Sequence, residues 1–168
     1  MSLFQPLPNY SVSVNGKTLD LSKPQVMGIL NVTPDSFSDG GQFNAIDSAV
    51  THAKEMIAAG ATIIDIGGES TRPNAQTVAT EEELQRVIPV VEAIRKHCGS
   101  EIWLSIDTSN PQVIEAAVAA GADIWNDVRA LKRQGAATMA AKLNIPVMLM
   151  HMRGEPTTMT GLANYEDV

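Results

Sequence analysis

Residues 102–126 read IWLSIDTSNPQVIEAAVAAGADIWN, which is an apolar run, a helical stretch and a second short apolar run. Pro111 suits the first position of a helix, where its missing N–H costs nothing, and Gly121 suits the end of the helix. Two strands joined through a helix are parallel, because a parallel pair needs a crossover connection. The stretch therefore predicts an α/β fold built on a parallel sheet.

The same alternation of strand and helix extends in both directions along the chain. A capping box of Thr80 and Glu83 is predicted at the start of one helix. Upstream, Asn15-Gly16 between two alternating runs predicts a tight hairpin over residues 10–21, interpreted as a two-stranded flap. The predicted strands are 26–31, 62–66, 102–106, 124–126 and 147–150, and the predicted helices are 46–59, 80–97, 111–120 and 136–143.

Two architectures accommodate five parallel strands: an open doubly wound sheet and a barrel. Polar residues at the strand ends favour the barrel, since Asn31, Asp107, Asn126 and His151 would converge on one mouth. A complete (β/α)8 barrel of the TIM type needs ~250 residues, so 168 residues hold about the first five β/α units. We therefore expect one domain over residues 1–168, with the hairpin followed by strands one to five over 25–168, and either a short open sheet or the front of a longer barrel.

Charge and composition exclude several classes of function. The net charge is −7, and the sequence has no basic run, so nucleic acid is not an expected partner. Cys98 is the only cysteine, which excludes an internal disulfide. The sequence shows neither a signal peptide nor a run of ~20 apolar residues that would span a membrane. These features predict a cytoplasmic protein with no membrane partner.

Several short motifs resemble the signatures of the dihydropteroate synthase family. The most specific is MGILNVTPDSFSDGG at Met27–Gly41, and the likeness covers the chain from about Thr18 onward. The family's later motifs, a strand-six Asp, a strand-seven Lys and a final Arg-x-His, are not in this sequence. The other matching motifs are GGESTRP at 67–73, SIDTSN at 105–110, Asn-Asp at 126–127 and MHMRG at 150–154.

The resemblance implies a fold, a reaction and partners. The fold would be an eight-stranded α/β barrel with the site at its carboxyl mouth. The reaction would join para-aminobenzoate to a dihydropterin diphosphate, releasing diphosphate and giving dihydropteroate for folate biosynthesis, with Mg2+ required. Sulfonamides, which mimic para-aminobenzoate, would bind, and the complete protein would be a homodimer.

The resemblance also assigns roles to single residues. Asn31 would be a ligand of Mg2+, since an amide oxygen suits a hard cation. Asp107 and Asn126 would match the donors and acceptors of the pterin edge, with Val128 and Met150 beside them. The remaining residues lie in two long loops. Asp35 would order the first loop around the cation, Arg72 would hold a phosphate, and Phe37, Thr71 and Pro73 would lie beside the aminobenzoate ring. Of these, Asp35, Thr71 and Arg72 would have catalytic roles.

Simpler interpretations stand beside these roles. In one of them Asp107 serves only as a helix cap, although Thr108 and Ser109 are better placed for that. In the same way, Arg72 would be a solvated charge in its loop, and Phe37 would be a buried apolar anchor. Two other functions stay open: a methyltransferase of the same barrel type that uses methyltetrahydrofolate, and a non-catalytic piece of the enzyme.

Overall fold

The computed structural model describes residues 10–32, 41–69, 78–155 and 158–166. The described chain is a two-stranded hairpin followed by alternating strands and helices, as the sequence predicts. A short last helix was not predicted. The strands are β1 Ser11–Val14, β2 Lys17–Asp20, β3 Met27–Asn31, β4 Ile63–Gly67, β5 Trp103–Asp107, β6 Ile124–Asp127 and β7 Val147–Leu149; the helices are α1 Gly41–Ala58, α2 Thr80–Cys98, α3 Pro111–Ala119, α4 Ala136–Leu143 and α5 Met159–Leu162.

Strands β3 to β7 form one sheet in sequence order, and all neighbouring pairs are parallel. Helices α1 to α4 all contribute to a single apolar core on one face of this sheet. A doubly wound fold would place helices on both faces and reverse its strand order at a switch point. Sequential order with helices on one face is the arrangement of a (β/α)8 barrel, which confirms the predicted fold class.

The hairpin closes the amino-terminal end of the other sheet face. Its turn has Asn15 and Gly16 at φ 52° and 77°, which is the conformation that an Asn-Gly hairpin turn requires. Leu19 of β2 packs on Ile63, Trp103 and Ile124, which are the first residues of β4, β5 and β6. The predicted two-stranded hairpin is confirmed, and through Leu19 it acts as a plug that covers the amino-terminal ends of β4, β5 and β6.

Truncating Leu19 tests this plug. Leu19 is 8% exposed, so Leu19→Ala removes a buried side chain from the cluster. We expect a loss of about 2–4 kcal/mol in the free energy of unfolding of the complete protein, measured by urea denaturation. Leu21→Ala, in the same hairpin but 41% exposed, is the matched control and should cost about 1 kcal/mol or less. Equal losses in the two variants would contradict the packing described here.

The N-terminal ends of α2 and α3 test two predictions about helix caps. The capping box does not form: Ala79 is the N-cap of α2, no side chain caps it, and the Thr80 hydroxyl accepts a hydrogen bond from Asn110 instead. The N-cap of α3 is Asn110, whose side chain accepts from the backbone N–H of Gln112. Asp107 is therefore not a helix cap.

None of the helices in the described ranges combines the length and the apolar character that crossing a membrane requires.

Candidate functional site

A row of residues crosses the sheet at the carboxyl ends of its strands. The strand register pairs Asn31 with Gly67, Gly67 with Asp107, Asp107 with Asn126, and Asn126 with Met148. Residues paired in this way point to the same face of a sheet, which here is the face without helices. The row therefore brings together three residues that the sequence analysis selected: Asn31, Asp107 and Asn126.

Gly67 leaves an open space in the middle of the row. A Cβ at this position would lie 3.7 Å from Asp107 Oδ2 and 3.8 Å from Asn31 Oδ1. The two oxygens therefore border the same gap from opposite sides. A ligand that reaches the sheet here meets a carboxylate on one side and an amide oxygen on the other.

Asp65 lies one step deeper on the same face and is not among the site residues predicted from the sequence. It is 4% exposed and sits in the middle of β4. Its Oδ2 accepts a hydrogen bond of 3.0 Å from Asn126 Nδ2. The signal that would have found it is a carboxylate inside an otherwise apolar strand, IIDIG, since an ionisable group is rarely buried without a partner.

Buried polar atoms without partners are concentrated at this row. Among the described residues, four buried side-chain atoms lack a hydrogen-bond partner, and three of them are Asp65 Oδ1, Ser105 Oγ and Asp107 Oδ1. Ser105 is paired with Asp65 in the register and lies close enough to act on its carboxyl group, although not in hydrogen-bond geometry, so the three atoms belong to one patch. Because native proteins satisfy nearly all buried polar groups, these atoms are available to a polar ligand or to water.

Burial and neighbouring charge raise the pKa of Asp107 to about 7. Desolvation is the largest cause, and repulsion from Asp65, Glu83, Asp127 and Glu69 adds to it. Burial also raises the pKa of Asp65. A carboxyl group that titrates near neutral pH is typical of functional sites, and it gains most from a ligand that donates hydrogen bonds to its charged form.

A second network holds the ends of β5 and β6 in place. Asp127 is fully buried and accepts from Ser109 Oγ at 2.5 Å, from the Arg129 N–H at 3.0 Å and from the Leu131 N–H at 2.7 Å. The Arg129 guanidinium donates to Ser109 Oγ at 3.1 Å and to Glu155 at 3.0 Å. These bonds connect the loops after β5, β6 and β7, and therefore fix the backbone that carries Asp107 and Asn126.

Other predicted site residues lie around the mouth or outside the described ranges. Val128 is half-buried in the turn after β6, and Met150 follows β7 with 37% of its surface exposed. Both are near the strand ends, and since the Val128 side chain is apolar and the Met150 side chain is a thioether, they would meet a ligand by packing and not by strong hydrogen bonds. Five residues assigned to the two loops fall outside the described ranges: Asp35, Phe37, Thr71, Arg72 and Pro73.

Comparison with known proteins identifies the family. The model of the family described as pterin binding enzyme matches residues 27–168. The chain belongs to this family of pterin-binding enzymes. It is also 60% identical over 153 residues to the dihydropteroate synthase of Escherichia coli K12, a match that covers 91% of this chain and 54% of that protein.

Solved structures of dihydropteroate synthases also match this chain over about half of their own length. A Yersinia pestis dihydropteroate synthase in complex with a sulfonamide drug matches 94% of this chain and 57% of its own at a TM-score of 0.84 and 55% identity. A Xanthomonas albilineans dihydropteroate synthase in complex with 7,8-dihydropteroate matches 94% of this chain and 54% of its own at a TM-score of 0.77 and 44% identity. The chain thus spans about half the length of the relatives it matches.

Proposed function

We propose that the complete protein carrying this chain is a dihydropteroate synthase. It joins the amino group of para-aminobenzoate to the methylene carbon of a 6-hydroxymethyl-dihydropterin diphosphate. The new C–N bond forms as the C–O bond to diphosphate breaks, and the amine gives up a proton. The observation that carries the proposal is the row at the strand ends, where Asp107 and Asn126 border unpartnered buried polar atoms in a member of the pterin-binding family.

The chemistry of the row suits a pterin. A pterin edge alternates N–H donors with nitrogen and oxygen acceptors. The Asp107 carboxylate accepts hydrogen bonds, and the Asn126 amide both donates and accepts. A site that satisfies such a pattern discriminates strongly, because an analogue with the wrong pattern leaves buried groups unpaired.

Mg2+ is the cofactor we propose, and Asn31 is the ligand this chain would supply. The Asn31 side chain is exposed at the end of β3 with its oxygen beside the Gly67 gap, which suits a hard cation. Within the described ranges, no group of three or more His, Cys, Asp or Glu side chains gathers to hold a metal. That fits Mg2+, which keeps several waters and binds largely through substrate phosphates. When bound, the ion would offset charge on the leaving diphosphate.

The remaining roles rest on the resemblance and on the relatives. We propose that Arg72 holds the diphosphate through its planar fork, that Asp35 orders the first loop around the cation, and that Phe37, Thr71 and Pro73 border the aminobenzoate. The sulfonamide bound to the Yersinia pestis relative supports sulfonamide binding here. A homodimer and a cytoplasmic location also stay predictions, to be tested by light scattering and by fractionation of cells.

The test is a product assay on the complete protein with two sets of substrates. One arm supplies the pterin diphosphate, para-aminobenzoate and Mg2+, and the other supplies methyltetrahydrofolate and a methyl acceptor. We expect equal amounts of dihydropteroate and diphosphate in the first arm and no demethylation in the second. Demethylation without release of diphosphate would establish the methyltransferase function instead.

The raised pKa of Asp107 predicts that pterin binding depends on pH. Donors of the ligand bind the ionised carboxylate, which prevails above about pH 7 and is lost as the pH falls below it. Pterin affinity should therefore be about tenfold lower at pH 6 than at pH 8, as one ionisation of this pKa requires. Calorimetric titration of the complete protein at a series of pH values measures this dependence. Asp107→Asn, which cannot ionise, should remove it, and an unchanged profile in that variant would assign the titration to another group.

A further inference from the structure

We propose that Asp65 determines which pteridines this site accepts, by fixing the orientation of the Asn126 side-chain amide. This inference rests on the proposed function and deepens it. Asp65 does not need to touch the ligand, so it is a positioning residue. It acts through the hydrogen bond of 3.0 Å that its Oδ2 accepts from Asn126 Nδ2.

The amide of asparagine has two ends of opposite character. Its nitrogen donates two hydrogen bonds, and its oxygen accepts. A half turn of the side chain exchanges the two ends at almost no cost in shape. Because the Asp65 carboxylate only accepts when it is ionised, it retains the nitrogen end of Asn126 on its side. One N–H is then used by Asp65, while the other N–H and the oxygen are presented to a ligand in a fixed order.

The position of Asp65 strengthens its effect on the orientation of the Asn126 amide. Asp65 is 4% exposed, so water does not replace it as a partner of Asn126. It stands on β4, and Asn126 stands on β6. The contact therefore reaches across β5 on the face of the sheet that has no helices, beside Ser105, and it does not depend on a loop. A hydrogen bond to a charged acceptor in a site of low dielectric constant is also stronger than one between neutral groups.

The order of donor and acceptor matters because related pteridines differ in it. In a pterin, ring nitrogen 1 accepts and the neighbouring 2-amino group donates. In the deaminated analogue, which carries a 2-oxo group, nitrogen 1 donates and its neighbour accepts. A fixed Asn126 amide suits one of these orders and opposes the other. We infer that Asp65 selects for the 2-amino compound.

The experiment measures affinity for both compounds in the complete protein. The probes are 6-hydroxymethylpterin and its 2-oxo analogue, and the readout is the ratio of their dissociation constants. In Asp65→Asn the new amide can accept from Asn126 or donate to it, so both orientations become accessible. We expect the ratio to fall by about tenfold or more. If that variant does not fold, Asp65→Ala tests the same point, since it removes the acceptor that holds the Asn126 amide.

The matched control is Asp123→Asn, a second buried aspartate that lies before β6, at the opposite end of the strand from the site. It accepts from Lys17, Arg95 and the Leu104 N–H, so its replacement lowers stability without touching Asn126. The ratio should stay within about twofold of wild type in this control. A ratio that is also unchanged in the folded Asp65 variant would overturn the inference. Wild-type protein that binds neither pteridine would instead refute the proposed function, and the inference with it.

Discussion

Replacing Asp107 or Asn126 by alanine is expected to weaken the binding of pterin strongly. Each change leaves ligand groups without partners in a buried site, at about 1–3 kcal/mol per missing hydrogen bond. This corresponds to a dissociation constant about 5-fold to 150-fold higher for each bond lost. Calorimetric titration of the complete protein with a pterin measures the effect directly.

The control for both variants is Asp47→Ala, which removes an exposed carboxylate from α1, far in sequence from the row. Its pterin affinity should equal that of wild type. Thermal denaturation of all variants separates a loss of binding from a loss of folding. If folded Asp107→Ala and Asn126→Ala both bind pterin as wild type does, the row is not the pterin site.

The polypeptide of residues 1–168, expressed alone, is expected to show no synthase turnover and a poorly cooperative unfolding transition. Within the described ranges, β3 and β7 each pair with a strand on one side only. Large apolar side chains on these two strands are exposed, with Ile29 at 62% and Leu149 at 56%. Open parallel edges and exposed apolar surface destabilise a sheet and favour aggregation.

This expectation is checked by purifying that polypeptide and measuring turnover and thermal unfolding together. The free energy of unfolding of a whole domain is only about 5–15 kcal/mol, so a barrel that lacks several strands retains little stability. The complete protein, assayed in parallel, controls for the quality of the substrates. A sharp unfolding transition with measurable formation of dihydropteroate would show that five β/α units suffice.

Most of the fold follows from local patterns. The bounds of the five strands were predicted to within one residue, because each is a short apolar run bounded by polar or turn residues. Helix α1 was predicted five residues too short at its start, since the sequence before Ile46 is polar and lacks the apolar spacing of a helix face. The role of the hairpin was not predictable, because the packing of Leu19 against Trp103 joins residues far apart in the sequence.

The site was predictable only in part, because several of its contacts also join residues far apart in the sequence. Asn31, Asp107 and Asn126 were found because polar residues at strand ends share one edge of a parallel sheet. Asp65 lies inside a strand, and its meaning appears only when the register brings it near Asn126. Arg129 and Asp127 were likewise missed as a network, since their partners Ser109 and Glu155 come from other loops.

The most direct test of the central claim is a crystal structure of the complete protein with a bound pterin. We expect the pteridine ring to lie at the carboxyl end of the sheet, with the side chains of Asp107 and Asn126 within hydrogen-bond distance of its polar edge. Asn126 should retain its contact with Asp65 in that complex. A pterin bound elsewhere, with the Asp107 and Asn126 side chains making no contact to it, would contradict the account.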